Sequence, residues 1–261
     1  MKYGFIGCGN MGGAIATALS KATKDILVTD RSGKAAALAD QLGIRYGSTE
    51  EIAGSCDIVF LGVKPHMMEG CLQPLQHILS VRKPLLVTMA AGLEIRQIEA
   101  FAGCHLPVIR VMPNTPTAIG EGVIPYCFND LVEEKKLADW LHDMRFCGLL
   151  DSLEERLMDA VSALSGSGPA YMYVLLEALS DGAVACGIPR AKAMDYAAMT
   201  MVGAARMYLE THRHPGELKD AVCSPGGSTI AGIRELENHG FRGAAMDCVI
   251  ATYRRNLELG K

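Results

Sequence analysis

The sequence predicts an α/β fold, with a doubly wound parallel sheet over residues 1–151 followed by an all-helical domain over residues 152–261. Three observations predict it. β-Branched runs alternate with helical runs through the first half, the pattern of a parallel sheet covered on both faces. A glycine loop, Gly7-Cys8-Gly9-Asn10-Met11-Gly12, joins the first strand to the first helix. Beyond Asp151 the β-branched runs stop and apolar residues recur at helical spacing, as in Leu153, Leu157, Val161 and Leu164.

Taken in order, "KYGFIG" is the first strand and an Ala-rich helix follows from Gly13 to Ala22. "ILVTD" is the next strand, "GKAAALADQLG" a helix and "IRYG" a short strand; "DIVFLGV", "PLLVTMA" and "VIRVMP" complete the sheet. "MPNTP", Met112 to Pro116, has two prolines around Asn114. Neither a central strand nor a helix interior tolerates that, so it is a rigid loop. In the second half Leu175, Leu176 and Leu179 mark a further helical face. Pro169 and Pro189 sit at helix starts, and Gly187 punctuates the chain just before the latter. Helices such as "YAAMTMVGAARMYL" are rich in Ala, Gly and Met and suit close packing, either in a tight core or against a second subunit.

Composition narrows the function classes. With 261 residues, 49% of them hydrophobic and 21% charged, the chain is able to build a sizeable core. A formal net charge of −4 and the lack of a Lys/Arg block argue against a nucleic-acid partner. The longest apolar windows are too short for a bilayer or are interrupted by Glu177 and Asp181, so no membrane span is expected. No secretory leader precedes "YGFIG", which predicts a cytoplasmic protein. The nine cysteines contain no C-x-x-C pair and lie mostly in apolar segments, as buried thiols of a reducing compartment do. The seven histidines show no metal or triad spacing, and no metal site is expected.

Between a strand and a helix, the glycine pattern has mechanical meaning. Gly7 permits a tight turn, Gly9 lets the backbone approach a pyrophosphate, and Gly12 brings the helix close to the strand. Cys8, Asn10 and Met11 complete a loop whose helix N-terminus faces the negative charge. The first half is therefore expected to be a Rossmann-type dinucleotide-binding domain. Its second strand ends at "TDRSGK", where the adenosine ribose is read. An acidic residue there holds the 2′-hydroxyl of NAD, whereas an Arg accommodates the 2′-phosphate of NADP. Asp30 offers the first; Arg31, Ser32 and Lys34 offer the second. NADPH is the expected cofactor and NADH the alternative. Two further loops lie beyond strand ends and are expected to line the same crevice: Val63-Lys64-Pro65 in "GVKPH" and Ala90-Ala91-Gly92 in "AAGL", with Asn114 of "MPNTP" joining them.

"CSPGGSTIAG", Cys223 to Gly232, places Pro-Gly-Gly at a helix entrance. The glycines allow close approach, while Ser228 and Thr229 either cap the helix or lend hydroxyls to a ligand. Together and in this order, "GFIGCGNMG", "VKPH", "AAG", "MPNTP", "LSGSGPAY" (Leu164 to Tyr171) and "HPGELKDAVCSPGGSTI" (His214 to Ile230) resemble the pyrroline-5-carboxylate reductase family over nearly the whole chain. The resemblance implies NAD(P)H-dependent reduction of the cyclic imine 1-pyrroline-5-carboxylate to L-proline. It also implies a helical C-terminal domain that intertwines with its mate in a dimer or larger homo-oligomer.

In that family the loop binds the substrate carboxylate, which carries over to Gly227, Ser228 and Thr229, with the Thr229 hydroxyl closest to the reacting ring. Glu155 has two readings. Ser152-Leu153-Glu154-Glu155 has the spacing of a capping box, whereas the resemblance implies a glutamate near the substrate nitrogen. Ala221 departs from relatives that carry Asn or another polar residue there. Two rivals share parts of this plan. A 3-hydroxyacid dehydrogenase requires a lysine where this chain has Met172, and a non-catalytic NADP sensor has no need of the "SPGGST" and "SGSGPAY" loops.

Overall fold

The structure is a computed structural model that describes residues 1–259. Eight strands form one sheet: β1 (Tyr3–Ile6), β2 (Ile26–Thr29), β3 (Arg45–Tyr46), β4 (Ile58–Leu61), β5 (Leu85–Thr88), β6 (Val108–Val111), β7 (Gly122–Phe128) and β8 (Gly148–Ser152). Their order is β3-β2-β1-β4-β5-β6-β7-β8, parallel throughout except where β7 pairs antiparallel with β6. The six strands read from β-branched runs are all present. β7 and β8 are additional.

The helices are α1 (Asn10–Leu19), α2 (Lys34–Leu42), α3 (Thr49–Ser55), α4 (Met68–Leu72), α5 (Gln76–Arg82), α6 (Ile95–Ala102), α7 (Glu134–Met144), α8 (Met158–Val161), α9 (Gly168–Ala185), α10 (Arg190–Thr211), α11 (Pro215–Asp220), α12 (Ser228–Asn238) and α13 (Phe241–Leu259). α1 starts at Asn10, three residues before the expected Gly13, because the Gly13 N–H already bonds to the Gly9 carbonyl.

The central strands divide their side chains between two cores. Phe5, Phe60, Val87 and Ile109 face α1, α2 and α7, whose Ile15, Ala39 and Trp140 complete one cluster. Ile6, Val59, Leu86 and Val108 face the other side, against Ile52, Leu72 and Ile98 of α3, α4 and α6. A strand with both faces buried needs a continuous apolar run, which is what "GFI", "IVFL" and "LLV" supply.

The described chain divides into two compact units, residues 1–169 with 252–259, and residues 170–251. Residues 152–169 thus fall in the first unit, and the packing explains why: Met158 lies in the second cluster, with Leu153 and Val161 against it. The expected helical face there is interrupted. The segment runs as a 3₁₀ turn (Glu155–Leu157), then α8, then a π-helical turn (Ser162–Gly166), and Leu164 is exposed. In the other unit only Ser180 and Ala193 are buried, while Met172, Tyr173, Val174, Met199 and Leu209 are exposed. Among the described residues no helix is long and apolar enough to cross a membrane, and no cluster of His, Cys, Asp and Glu has metal-binding geometry.

Candidate active site

A cleft of about 530 Å³ opens at the carboxyl ends of β1, β2 and β4. Gly7, Cys8, Gly9, Arg31, Ser32, Val63 and Lys64 line it, as expected from the sequence. Asn10, Met11 and Gly12 form the first turn of α1 beside it. Gly7 has φ +101°, a conformation that favours glycine. A Cβ on Gly12 or on Gly62 would fall on the Gly7 carbonyl oxygen, so these two glycines let helix, loop and strand meet.

Gly9 is different. Its φ is −67°, open to any residue, and a Cβ there would meet no atom within 4 Å. Nothing in the protein's own packing requires a glycine at that position, whereas a pyrophosphate lying on the N-terminus of α1 would. The first turn of α1 has no acidic residue to oppose such a ligand. The donor set therefore fits a dinucleotide.

Beyond β2, Asp30 is engaged within its own loop. Ser32 Oγ donates to Asp30 Oδ2 at 2.7 Å and the Gly33 N–H donates to Oδ1 at 2.9 Å. Partial desolvation acts to raise the carboxyl, but bonds from the Ser32 hydroxyl and nearby backbone N–H groups hold it below the usual range. The Ser32 hydroxyl is thus committed to Asp30. Arg31 is exposed and, among the described residues, makes no ion pair. Cys8 is buried, and desolvation, together with the Asp30 charge, pushes its thiol up to about 12. Cleft residues the sequence reading missed include Thr49, Glu50 and Cys71, while His66 ends the expected "GVKPH" loop. Thr49 and Glu50 follow β3, so the rule that ligands sit beyond strand ends was the signal available for them.

Pro65, Ala90, Ala91, Gly92 and Asn114 do not line this cleft. Gly92 borders a second cavity of about 500 Å³, together with Glu94, Arg110 and Asp159. Asn114 has a bracing role instead. Its Nδ2 donates to the Ser165 carbonyl at 3.0 Å, its Oδ1 accepts from the Val123 N–H at 2.9 Å, and it is buried, so its side chain is closed to a ligand.

Glu155 also departs from its local reading. Ser152 belongs to β8, so no capping box forms. The Glu155 carboxylate instead accepts from the Ile95 N–H at 2.8 Å and from Arg110 Nη1 at 3.3 Å.

In the second unit, the entrance of α12 is a reverse turn. Pro225 and Gly226 occupy its central positions, Gly226 has φ +68°, and the Gly227 N–H donates to the Ser224 carbonyl at 3.0 Å. This is type II turn chemistry. The N–H of Gly227, one of the residues to which carboxylate binding was carried over, is therefore taken. Gly227 is the N-cap, no side chain caps the helix, and no acidic residue lies in its first turn. Ser228 and Thr229 are exposed. Their N–H groups are two of the orphan donors every helix start leaves.

Comparison with known proteins accords with this geometry. Residues 155–259 match the family profile described as pyrroline-5-carboxylate reductase dimerisation, and residues 2–92 match that of coenzyme F420-dependent NADP oxidoreductases. The chain is 40% identical to the pyrroline-5-carboxylate reductase of Escherichia coli, covering all of this chain and 98% of that one. It is 38% identical to the enzyme of Pisum sativum over 98% and 95% of the two chains. The solved pyrroline-5-carboxylate reductase of Coxiella burnetii superposes with a TM-score of 0.90 at 32% identity, covering 100% and 98% of the two chains. That of Plasmodium falciparum, solved with NADP bound, superposes with a TM-score of 0.88 at 30% identity over the same shares. With full-length relatives at this identity and a sheet, glycine loop and helix entrance in the expected places, the chain belongs to the pyrroline-5-carboxylate reductase family.

Proposed function

We propose that the protein reduces 1-pyrroline-5-carboxylate to L-proline with NADPH, as a homo-oligomer whose smallest unit is a dimer. The observation that carries this reading is the entrance of α12. Its Ser228 and Thr229 N–H groups and Thr229 hydroxyl are exposed and form no hydrogen bond among the described residues, with no acidic residue beside them. A small carboxylate satisfies two orphan N–H groups and the positive end of the helix at once. Holding the acid by that end leaves its imine carbon free to face the nicotinamide, with the Thr229 hydroxyl near the ring.

Bound NADPH supplies a hydride. A protonated cyclic imine is already electrophilic, so the chain's task is orientation rather than strong acid catalysis. Gly7 to Gly12 would hold the pyrophosphate, Val63 and Lys64 would flank the cofactor within the cleft, the Ala90–Gly92 turn beyond β5 would meet it past the cleft's edge, and Arg31 would grip the 2′-phosphate while Asp30 stays occupied with Ser32 and Gly33. Two supports bear on the rest of the reading. The apolar side chains exposed on residues 170–251 suit burial against a second copy. Nine free cysteines, six of them with thiols raised chiefly by burial, suit a reducing cytoplasm.

The test is a rate measurement at the nicotinamide absorbance band with purified protein, NADPH and the cyclic imine. Consumption is expected. Thr229→Val should lower kcat/KM about tenfold or more, the loss of one hydrogen bond near a charged ligand, with an unchanged unfolding midpoint. Folded protein that binds NADPH and leaves the imine untouched would overturn the assignment.

A further inference from the structure

We propose that Arg110 and Glu155 are positioning residues for the Ala90–Gly92 turn, holding it through the first residue of α6. The proposal rests on the reading of that turn as part of the dinucleotide site. Arg110 sits on β6 between Val108 and Met112, on the face that packs the second core cluster, and its side chain is 3% exposed. A guanidinium so deeply buried has to be paired. Nη1 meets Glu155 Oε1 and Nη2 meets Asp159 Oδ1, both at 3.3 Å. Among the described residues Nε has no partner, so the direction of the side chain depends on those two carboxylates.

The Glu155 oxygen that meets Arg110 makes a second and shorter bond, 2.8 Å, from the N–H of Ile95. Ile95 opens α6 three residues after Gly92. One carboxylate oxygen therefore joins the chain just beyond the Ala90–Gly92 turn to the middle of β6. Asp159 is secured in turn, since its carbonyl accepts from Asn256 Nδ2 at 3.1 Å.

As a source of stability such a cluster is weak, because well-packed apolar residues often serve as well or better. Directional bonds do what an apolar contact does not: they fix where each segment points. The second cavity makes that matter. It borders Gly92, Glu94, Arg110 and Asp159, so beside the tether lies empty space into which the turn is free to shift once released. Arg110 borders that space, so truncating Glu155 opens the otherwise buried guanidinium to water rather than leaving it dry.

Three variants test the proposal: Glu155→Gln, Glu155→Asp and Glu155→Ala. Glutamine keeps an oxygen for the Ile95 N–H at the same reach. Aspartate keeps the charge and the fold but is a methylene too short to serve both partners. NADPH affinity by fluorescence titration should stay within about threefold of wild type in Glu155→Gln and fall about tenfold or more in the other two, the range of a lost hydrogen bond to a charged group. The pH profile of kcat should be unchanged in Glu155→Gln. The proposal is overturned if aspartate and alanine leave NADPH affinity intact, or if glutamine abolishes turnover and moves the pH profile, which would make Glu155 a proton-exchanging group. Wild-type protein that is folded yet binds no dinucleotide would instead remove the cofactor reading and the proposal with it.

Discussion

Gly9→Ala and Gly12→Ala should separate cofactor binding from folding. At Gly9 the backbone is in an ordinary region and the added methyl meets nothing within 4 Å. Alanine is a poorer N-cap than glycine, which costs about 0.5–1 kcal/mol, and it stiffens the unfolded chain, which returns about 0.4–1 kcal/mol. The two nearly cancel, so the stability of the free protein should shift by less than about 1 kcal/mol. The methyl nevertheless fills the space a pyrophosphate approaches, and NADPH affinity should fall about tenfold or more, equivalent to roughly 1.4 kcal/mol. At Gly12 the methyl lands on the Gly7 carbonyl oxygen, a backbone atom unable to yield cheaply. Overpacking of this kind costs about 1–3 kcal/mol, against about 1 kcal/mol gained in helix propensity. Gly12→Ala should therefore lose stability as well as affinity. Urea unfolding without cofactor, beside fluorescence titration with NADPH, reads both quantities. Two results would refute the reasoning: wild-type NADPH affinity in Gly9→Ala, or equal destabilisation by the two substitutions.

Other outcomes follow from the same geometry. Arg31→Ala should weaken NADPH severalfold more than NADH, because Asp30 is already engaged and Arg31 is the exposed cation beside it; equal losses for both cofactors would remove its role at the 2′-phosphate. Alkaline pH should destabilise the protein through its buried thiols. Burial, aided by the Asp30 charge, pushes Cys8 up to about 12; burial pushes Cys147 to about 12, and burial with the Glu155 charge pushes Cys127 to about 11, each from an ordinary value of 9.0. A thiol raised in the folded state contributes stability that is complete below pH 9 and is lost as pH climbs toward the folded values. Unfolding midpoints should hold steady up to about pH 9 and then decline, and Cys8 should resist alkylation at neutral pH until the chain unfolds.

The sheet was legible wherever strands are buried on both faces, since only then does burial demand an unbroken apolar run. β1, β2, β4 and β5 meet that demand, and β6 meets it apart from Arg110. β7 does not announce itself, because Pro125 interrupts "GVIPYCF" and a proline lowers the expectation of an inner strand. The residues of β8 are partly or fully exposed, so its apolar signal is slight. The cofactor loop was legible through its glycines, but the partner of Arg110 lies 45 residues away. No local pattern in "VIRVMP" points to Glu155, whereas "SLEE" offers a plausible local cap that the fold does not use.

Two sites carried that same cap-like grammar, and the structure denies it at both. Ser152 is in a strand, and Gly227, not Ser228 or Thr229, stands at the N-cap of α12. What remains differs. Glu155, released from its local role, has found the Ile95 N–H and Arg110, partners inside the fold that account for it. Among the described residues Ser228 and Thr229 have no such partners: the preceding turn uses only the Gly227 N–H, and no side chain turns back to the next two. A helix start satisfied by its own chain needs no ligand. One with two donors and a hydroxyl left exposed, behind a turn stiffened by Pro225, is the better place to expect a small acid, and on this physical difference rest the proposals of tethering for Glu155 and substrate binding for the α12 entrance.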